Sequence, residues 1–357
     1  MKTLIDCRPL QTYSAFRGIG RYARQLIHGF NEDEWAYFLF FSEKGYWPEL
    51  KRKVFIRSPR RLITFTDHLW LKNLLLKTEI ELYHSTAYAL PVKSRKTKYV
   101  ITIHDLTPLL FPENSGFRHR FIFKKVIDSV RRADRVIAVS QNTAYDLLNL
   151  TPLPEDRVRV IHNPLDARID PARSIKPKMP LPAQYMFYTG GDDPIKNIKT
   201  IIQTLPVLKI PLVIAGMIDA AGIRKLRAYL SAQYQKLLLF AGYVSDEELS
   251  YLYQQASVFV FPSLYEGFGY PPLEALRCGT LSVVSRRSSL PEVLGNAAVY
   301  VDNPLDSEEF SEKIRQLLEN SEMKKNLLKE GRIILKKYSI ENFKKKIYAV
   351  YLELMNN

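Results

Sequence analysis

The sequence predicts an α/β protein made of two Rossmann-like, doubly wound domains. Three observations carry this. Short apolar, β-branched runs alternate with amphipathic stretches along the whole chain, as buried parallel strands alternate with the helices that cover them. Several of those runs end in glycine-bearing loops that open a helix, the usual strand-to-helix joint of a parallel sheet. Finally, 357 residues are more than one ordinary domain, and residues 164–182, with five prolines and no apolar periodicity, divide them. The expected division is a first domain over 1–165, a linker over 166–183 and a second domain over 184–337.

Composition narrows the class. Hydrophobic residues make up 46% of the chain and charged ones 25%, which suits packed cores and not disorder. Cys7 and Cys278 are too few and too far apart for a zinc site or a disulfide framework, and they point to a reducing cytoplasm. The opening MKTLIDC reads as a first strand rather than an export signal, and no run approaches the ~20 apolar residues of a membrane span. The net charge of +15 calls for an acidic partner: nucleic acid, an anionic lipid surface or phosphorylated small molecules. The basic residues are scattered and carry no RNA- or DNA-binding motif, so nucleic acid is not expected.

Along the chain, residues 3–5 form the opening strand, and a loop holding Gly18-Ile19-Gly20 leads into a helix with Tyr22, Ala23, Leu26, Ile27 and Phe30 at helical spacing. A bare G-x-G here is explained as well by a tight turn as by a phosphate site. Strands follow at 37–41, 82–84 and 100–103, with a basic stretch at 51–61 and an apolar helical one at 69–76. His84 and His104 each close a strand, and by itself such a histidine is as readily a hydrogen-bonded core or turn residue as a site residue. Residues 117–132, with six Arg or Lys among Phe117, Phe121, Val126 and Val130, form a basic amphipathic helix. It suits an anionic membrane interface, or simply a surface helix packing one face on its own domain. Strands at 135–140 and 157–163 complete the first domain.

The second domain opens with a strand at 185 and the loop 192–197, where Lys196 sits at a helix start. Strands at 212–216 and 237–242, and helices at 246–256, 308–318 and 323–336, surround the stretch on which the reading turns. That stretch, 258–284, is a strand, a loop with Gly267 and Gly269, a helix from Leu273, and a strand again. Glycines let a backbone approach a bulky ligand, and a helix start offers N–H groups to an anion. Glu266 and Glu274 stand eight residues apart; Glu274, expected in the first turn, reads either as a dipole-favoured helix-start residue or as an acceptor for a ribose diol.

The run EGFGYPPLEAL, with Gly279-Thr280 and the following SLPEV, resembles family 4 glycosyltransferases. The resemblance is echoed by TIHDLTPLLFPE and HSTAYALP in the first half. It implies the GT-B fold, two Rossmann-like domains facing a central cleft, with the last helix (338–357) crossing back to complete the first, acceptor-binding domain. It also implies a retaining, metal-independent transfer from a nucleotide-sugar, with no cofactor. Glu266 would then lie beside the donor sugar, Glu274 would bind the ribose, and Lys196 would contact the diphosphate. Gly190, Gly191, Asn197, Gly267, Phe268, Gly269 and Tyr270 would line the donor site, with Tyr243 and Val244 bracketing the base. His104 would line the sugar pocket, and Gly18, Gly20, Arg17, Asp105 and His84 would form the acceptor side of the cleft, with Arg21 and Ser85 beside them. Many members carry an arginine where this chain has Gly191, so Lys196 becomes the main cationic clamp, aided by Arg286 and Arg287.

The paired prolines resemble the bacterial surface-polysaccharide branch, which makes GDP-mannose the first expectation for donor, ahead of UDP-hexoses and dTDP-rhamnose. The acceptor expected is a glycan or lipid-linked glycan, reached by a cytoplasmic protein lying peripherally on the inner face of the membrane. A nucleic-acid-binding protein, a sugar-nucleotide epimerase on the same fold and an idle scaffold are the competing classes.

Overall fold

The computed structural model describes residues 1–16, 18–42, 50–56, 70–87, 96–114 and 117–356. The chain divides into two compact units, Met1–Pro164 with Tyr338–Asn357, and Leu165–Lys337. Each is built on one parallel sheet.

Unit 1 carries β1 (Thr3–Asp6), β2 (Ala36–Phe40), β3 (Lys53–Phe55), β4 (Leu82–Ser85), β5 (Lys98–Ile103), β6 (Arg135–Ala138) and β7 (Val158–Val160). Among the described residues they pair in the order β3-β2-β1-β4-β5-β6-β7. Unit 2 carries β8 (Met186–Thr189), β9 (Leu212–Ala215), β10 (Leu238–Gly242), β11 (Val258–Phe261), β12 (Ser282–Ser285) and β13 (Val299–Val301), ordered β10-β9-β8-β11-β12-β13. Both follow the doubly wound 3-2-1-4-5-6 order, whose direction reverses once, between β1 and β4 and between β8 and β11. Ligands of such sheets bind beyond the carboxyl ends of the strands at that reversal. All pairings are parallel, so central strands such as β11 (VFVF) are buried on both faces and read as unbroken apolar runs.

Unit 1 has a core on each side of its sheet. One side packs Tyr22, Leu26 and Phe30 of the Gly18–Phe30 helix with Phe343, Ile347 and Tyr351 of the C-terminal Ile340–Met355 helix. The other packs Leu71 and Leu75 with Val126, Ile127 and Val130 of the Phe117–Arg132 helix. Lys344 Nζ holds Asp33 at 2.7 Å, and Arg135 Nη2 holds Glu353 at 2.8 Å, so the last helix is tied to this unit by charge as well.

Several expectations meet a different structure. Residues expected as a linker belong to unit 2: Ile169 is buried, Arg168 bridges Asp166 and Asp246, and Asp170 N–H donates to Ser250 Oγ at 3.0 Å. Prolines removed the periodicity without removing the packing. The basic stretch at 51–61 contains β3, an edge strand of one lysine and two apolar residues, too short to show a period. The helix expected from Leu273 starts at Tyr270, and its two prolines fall inside its first turn, where N–H groups have no helical partner anyway.

Candidate functional site

In unit 2 the reversal brings two loops together, 190–197 after β8 and 262–269 after β11. They are laced by their backbones. Leu264 N–H donates to Ile195 O at 2.8 Å, and Asn197 Nδ2 donates to Pro262 O (3.2 Å) and Pro304 O (2.6 Å). Asn197 takes the left-handed conformation, φ 50°, and its Oδ1 accepts from Thr200 Oγ1 at 2.8 Å. Its side chain is therefore spent on bracing; Asn197 shapes the loop in place of contacting a ligand through that amide.

The bracing presents Lys196 to Glu266, with Nζ 2.6 Å from Oε1. The pair is partly buried, the lysine a third exposed and the glutamate 12% exposed. Glu266 is fixed from the other side by the β12 loop: its N–H donates to Ser288 Oγ at 2.8 Å, and Ser289 Oγ donates to its carbonyl at 3.0 Å. Ser288 is a non-glycine residue at φ 48°, a strained conformation held at the site. Tyr188, at the end of β8, donates to Gly191 O at 2.9 Å; burial, helped by the charges of Glu266, Asp192 and Asp193, pushes its phenol well above the usual range. Ser263 is fully buried, and among the described residues its Oγ has no hydrogen-bond partner. Neither Ser288 nor Tyr188 announces itself in sequence, because each acts through where the fold puts it.

Glycine is required at the helix start. Gly269 caps it at φ 90°, and a Cβ there would lie 2.6 Å from Leu290 Cδ2. Phe268 and Tyr270 are buried and pack edge to face with centroids 5.2 Å apart, so their side chains belong to the core under the loop. Gly190, at φ 152°, and Gly191 leave the start of the β8 loop without side chains, and Gly191 has open space around it. Tyr243 is exposed after β10, with Val244 half-buried beside it.

Glu274 departs from expectation. With the helix starting at Tyr270 it lies in the second turn and not the first, so a dipole-favoured helix-start role does not describe it. It is 1% exposed, and Tyr253 Oη donates to its Oε2 at 2.9 Å. Arg286 is likewise engaged, ion-paired with Asp302 and lying 4.5 Å over the Tyr300 ring, while Arg287 is exposed beside it.

In unit 1 the matching carboxyl ends hold Asp6, Arg8, His84, Thr86 and His104. Arg8 and Asp6 form a fully buried bidentate pair, Nη2 to Oδ2 at 2.6 Å, which Tyr83 Oη joins at 2.7 Å. Neither is legible in the sequence, since an arginine two residues after a strand carries no periodic signal. His104 Nε2 donates to Thr86 O at 2.8 Å, which leaves Nδ1 as the acceptor of a neutral ring. Burial holds its pKa below the ordinary value, against the raising effects of that bond and Asp105. Asp105 Oδ1 accepts from Thr107 N–H at 3.0 Å, starting the next short helix.

His84 is no surface-facing residue. It is fully buried, with Nδ1 2.5 Å from Tyr351 Oη and Nε2 2.7 Å from Thr102 Oγ1, itself 2.9 Å from Tyr22 Oη. Burial, then the neighbouring His104, lowers its pKa to about 3. It is a packed core histidine, and Ser85 beside it is also fully buried. Tyr22 meets His104 edge to face at 5.0 Å, so the buried chain supports the ring above it. Gly18 begins its helix exposed; a Cβ on Gly20 would lie 2.5 Å from Ala15 Cα, so Gly20 serves close packing. Arg21 is half-buried on the same helix. Arg17 lies outside the described residues. Among the described residues no helix is long and apolar enough to cross a membrane.

Two sheets of identical winding, each with charged and polar groups gathered at its reversal, define a GT-B protein. The comparisons make the family specific. Residues 16–168 match "Glycosyltransferase Family 4" and residues 173–333 match "Glycosyl transferases group 1". The O-antigen chain mannosyltransferase B of Escherichia coli is 30% identical over 275 residues, 73% of this chain and 71% of that protein. The chain belongs to the family 4 glycosyltransferases. It is also 33% identical over 234 residues, 59% of its length, to the serotype-specific mannosyltransferase WbdA of Escherichia coli, of whose length the match covers 28%. Among solved structures, a sucrose-phosphate synthase from Thermosynechococcus elongatus superposes with TM-score 0.79 at 20% identity over the full length of both chains, a likeness of fold.

Proposed function

We propose that the chain is a retaining hexosyltransferase that moves mannose from GDP-mannose to a hydroxyl of a glycan or lipid-linked glycan. The observation that carries this is the Lys196–Glu266 pair, 2.6 Å apart at the strand reversal of unit 2. A serotype-specific mannosyltransferase and an O-antigen chain mannosyltransferase among its relatives support the sugar. UDP-hexose and dTDP-rhamnose remain the alternative donors, since the base is read by backbone and by an exposed ring such as Tyr243.

The chemistry follows from charge. Transfer requires neutralising a departing nucleoside diphosphate while a cationic, oxocarbenium-like centre forms. Lys196 is held in place by Glu266 and turns its ammonium to the diphosphate when donor enters; Glu266 is thereby released toward the sugar, where it orients hydroxyls or supports the cation. Glu274 accepts from the ribose by exchanging its bond with Tyr253. His104, a neutral acceptor at Nδ1, takes a sugar hydroxyl. Departure and attack occur on one face, and a phosphate oxygen takes the acceptor's proton. No metal is needed in this scheme, because the lysine and backbone N–H groups hold the phosphates. The Phe117–Arg132 helix, with Phe121 exposed and Val126, Ile127 and Val130 buried, would let the protein rest on the anionic inner face of the membrane beside a lipid-linked acceptor.

Incubation with GDP-mannose and a mannose-terminated oligosaccharide acceptor tests the reading by proton NMR. An α-linked product from the α-linked donor, formed in EDTA, is expected. A β-linked product would contradict retention, and no turnover with any of the nucleotide-sugars would contradict the transferase itself.

A further inference from the structure

A second charged site stands at the opposite, amino ends of the strands of the unit 1 sheet. A cavity of about 440 Å³ is lined by Lys98, Arg131, Arg132, Asp134, Arg135 and Arg157. Lys98 opens β5, Arg135 opens β6, and Arg131 and Arg132 end the Phe117–Arg132 helix. The carboxyl end of β5, where His104 follows, is about 17 Å away at ~3.3 Å per residue, so this is no part of the candidate site above.

Cations in a helix's last turn are favoured by its dipole, which accounts for Arg131 and Arg132 alone. Lys98, Arg135 and Arg157 come from other elements and add like charge to the same space. Several of the groups that steady them are neutral. Arg135 Nη1 donates to Asp134 O at 2.8 Å, Arg157 Nη1 to Arg131 O at 3.3 Å, and Arg132 Nη2 to Ser129 Oγ at 3.2 Å. Among the described residues, the carboxylates of Asp134 and Glu353 face the cluster. Asp134 accepts from Tyr99 N–H at 2.8 Å, and Glu353 is shared between Arg135 and Arg159. Positive charge therefore remains in excess around one cavity, within a Debye length of ~8 Å at physiological salt. Guanidinium forks fixed by carbonyls are preorganised for phosphate oxygens, and the volume falls within the roughly 300–1,000 Å³ of small-molecule sites.

We propose that this cavity binds a phosphate group, as a diphosphate or a phosphodiester, independently of sugar transfer. The probe is sodium pyrophosphate, titrated into the full chain at constant ionic strength and followed by thermal shift. A saturable rise in Tm is expected that persists in Lys196→Ala, which disables the other phosphate-binding candidate. In Arg131→Gln/Arg157→Gln the apparent Kd should weaken by at least about tenfold, and in Lys98→Gln by a smaller factor. Both variants should match the wild-type Tm in chloride, which shows that they fold. No saturable shift, or an unchanged Kd in the double variant, would overturn the proposal. Cosedimentation with phosphatidylglycerol–phosphatidylcholine vesicles then identifies the source. Retention that pyrophosphate competes away assigns the site to a lipid headgroup; a saturable pyrophosphate shift without retention assigns it to a soluble phosphorylated compound.

Discussion

Replacing Glu266 by glutamine keeps its shape and removes its charge, and so separates structure from chemistry at the site. The carboxylate accepts from Lys196 Nζ at 2.6 Å, but the lysine is a third exposed, so solvent screens the pair. A stability loss of about 0–1 kcal/mol follows, since partly exposed ion pairs rarely exceed that. At ~2–4 °C per kcal/mol for a unit of this size, Tm should fall by about 4 °C at most. Turnover behaves differently. A group that faces developing positive charge is worth ~10²–10³ in rate, or ~3–4 kcal/mol of barrier. Nucleotide affinity should hold or rise, because Lys196 loses its competitor for the diphosphate. The assay is nucleotide release with saturating donor and acceptor, alongside calorimetric titration of the nucleotide. A kcat within about threefold of wild type, with folding intact, would refute the role given to Glu266.

Other consequences are equally direct. Tyr351→Phe removes a partner of buried His84 Nδ1 and should destabilise unit 1 by about 1–3 kcal/mol, read as a lower urea midpoint. His84 titrates near 3 when folded and near 6.5 when unfolded, so the unfolded chain binds the extra proton in between. Its contribution is complete above pH 6.5 and is lost as pH falls toward 3, at about 1.4 kcal/mol per pH unit; urea midpoints in His84→Gln should lose that slope. Gly269→Ala forces a left-handed residue against Leu290 and should cost about 1–3 kcal/mol, seen in the melting of unit 2. EDTA should leave turnover unchanged.

Much of this was legible in the sequence because parallel sheets write their strands as apolar runs and their ligand loops as glycine breaks. VFVF, then PSLYEGFG, then an apolar helix says strand, loop and helix without a structure. What stayed hidden was whatever depends on long-range pairing. His84 and Tyr351 lie 267 residues apart, and only folding shows that the histidine is buried between a tyrosine and a threonine. Helix prolines hid the true start of the Tyr270–Arg277 helix, and with it the burial of Glu274. Arg131, Arg135 and Arg157 lie apart in sequence, at a helix end and two strand starts, and only folding converges them on one cavity.

The central claim is that the loops after β8 and β11 hold a nucleoside diphosphate-sugar through Lys196. A thermal-shift panel of GDP, UDP, dTDP and their sugars, in EDTA, tests it most directly on wild type and Lys196→Ala. A ligand of the folded state at 100 times its Kd stabilises by about 2.7 kcal/mol, which such a melt resolves easily. One nucleotide family, GDP first, should shift the wild type and lose most of that shift in Lys196→Ala. No shift with any nucleotide, or one indifferent to Lys196, would contradict the account.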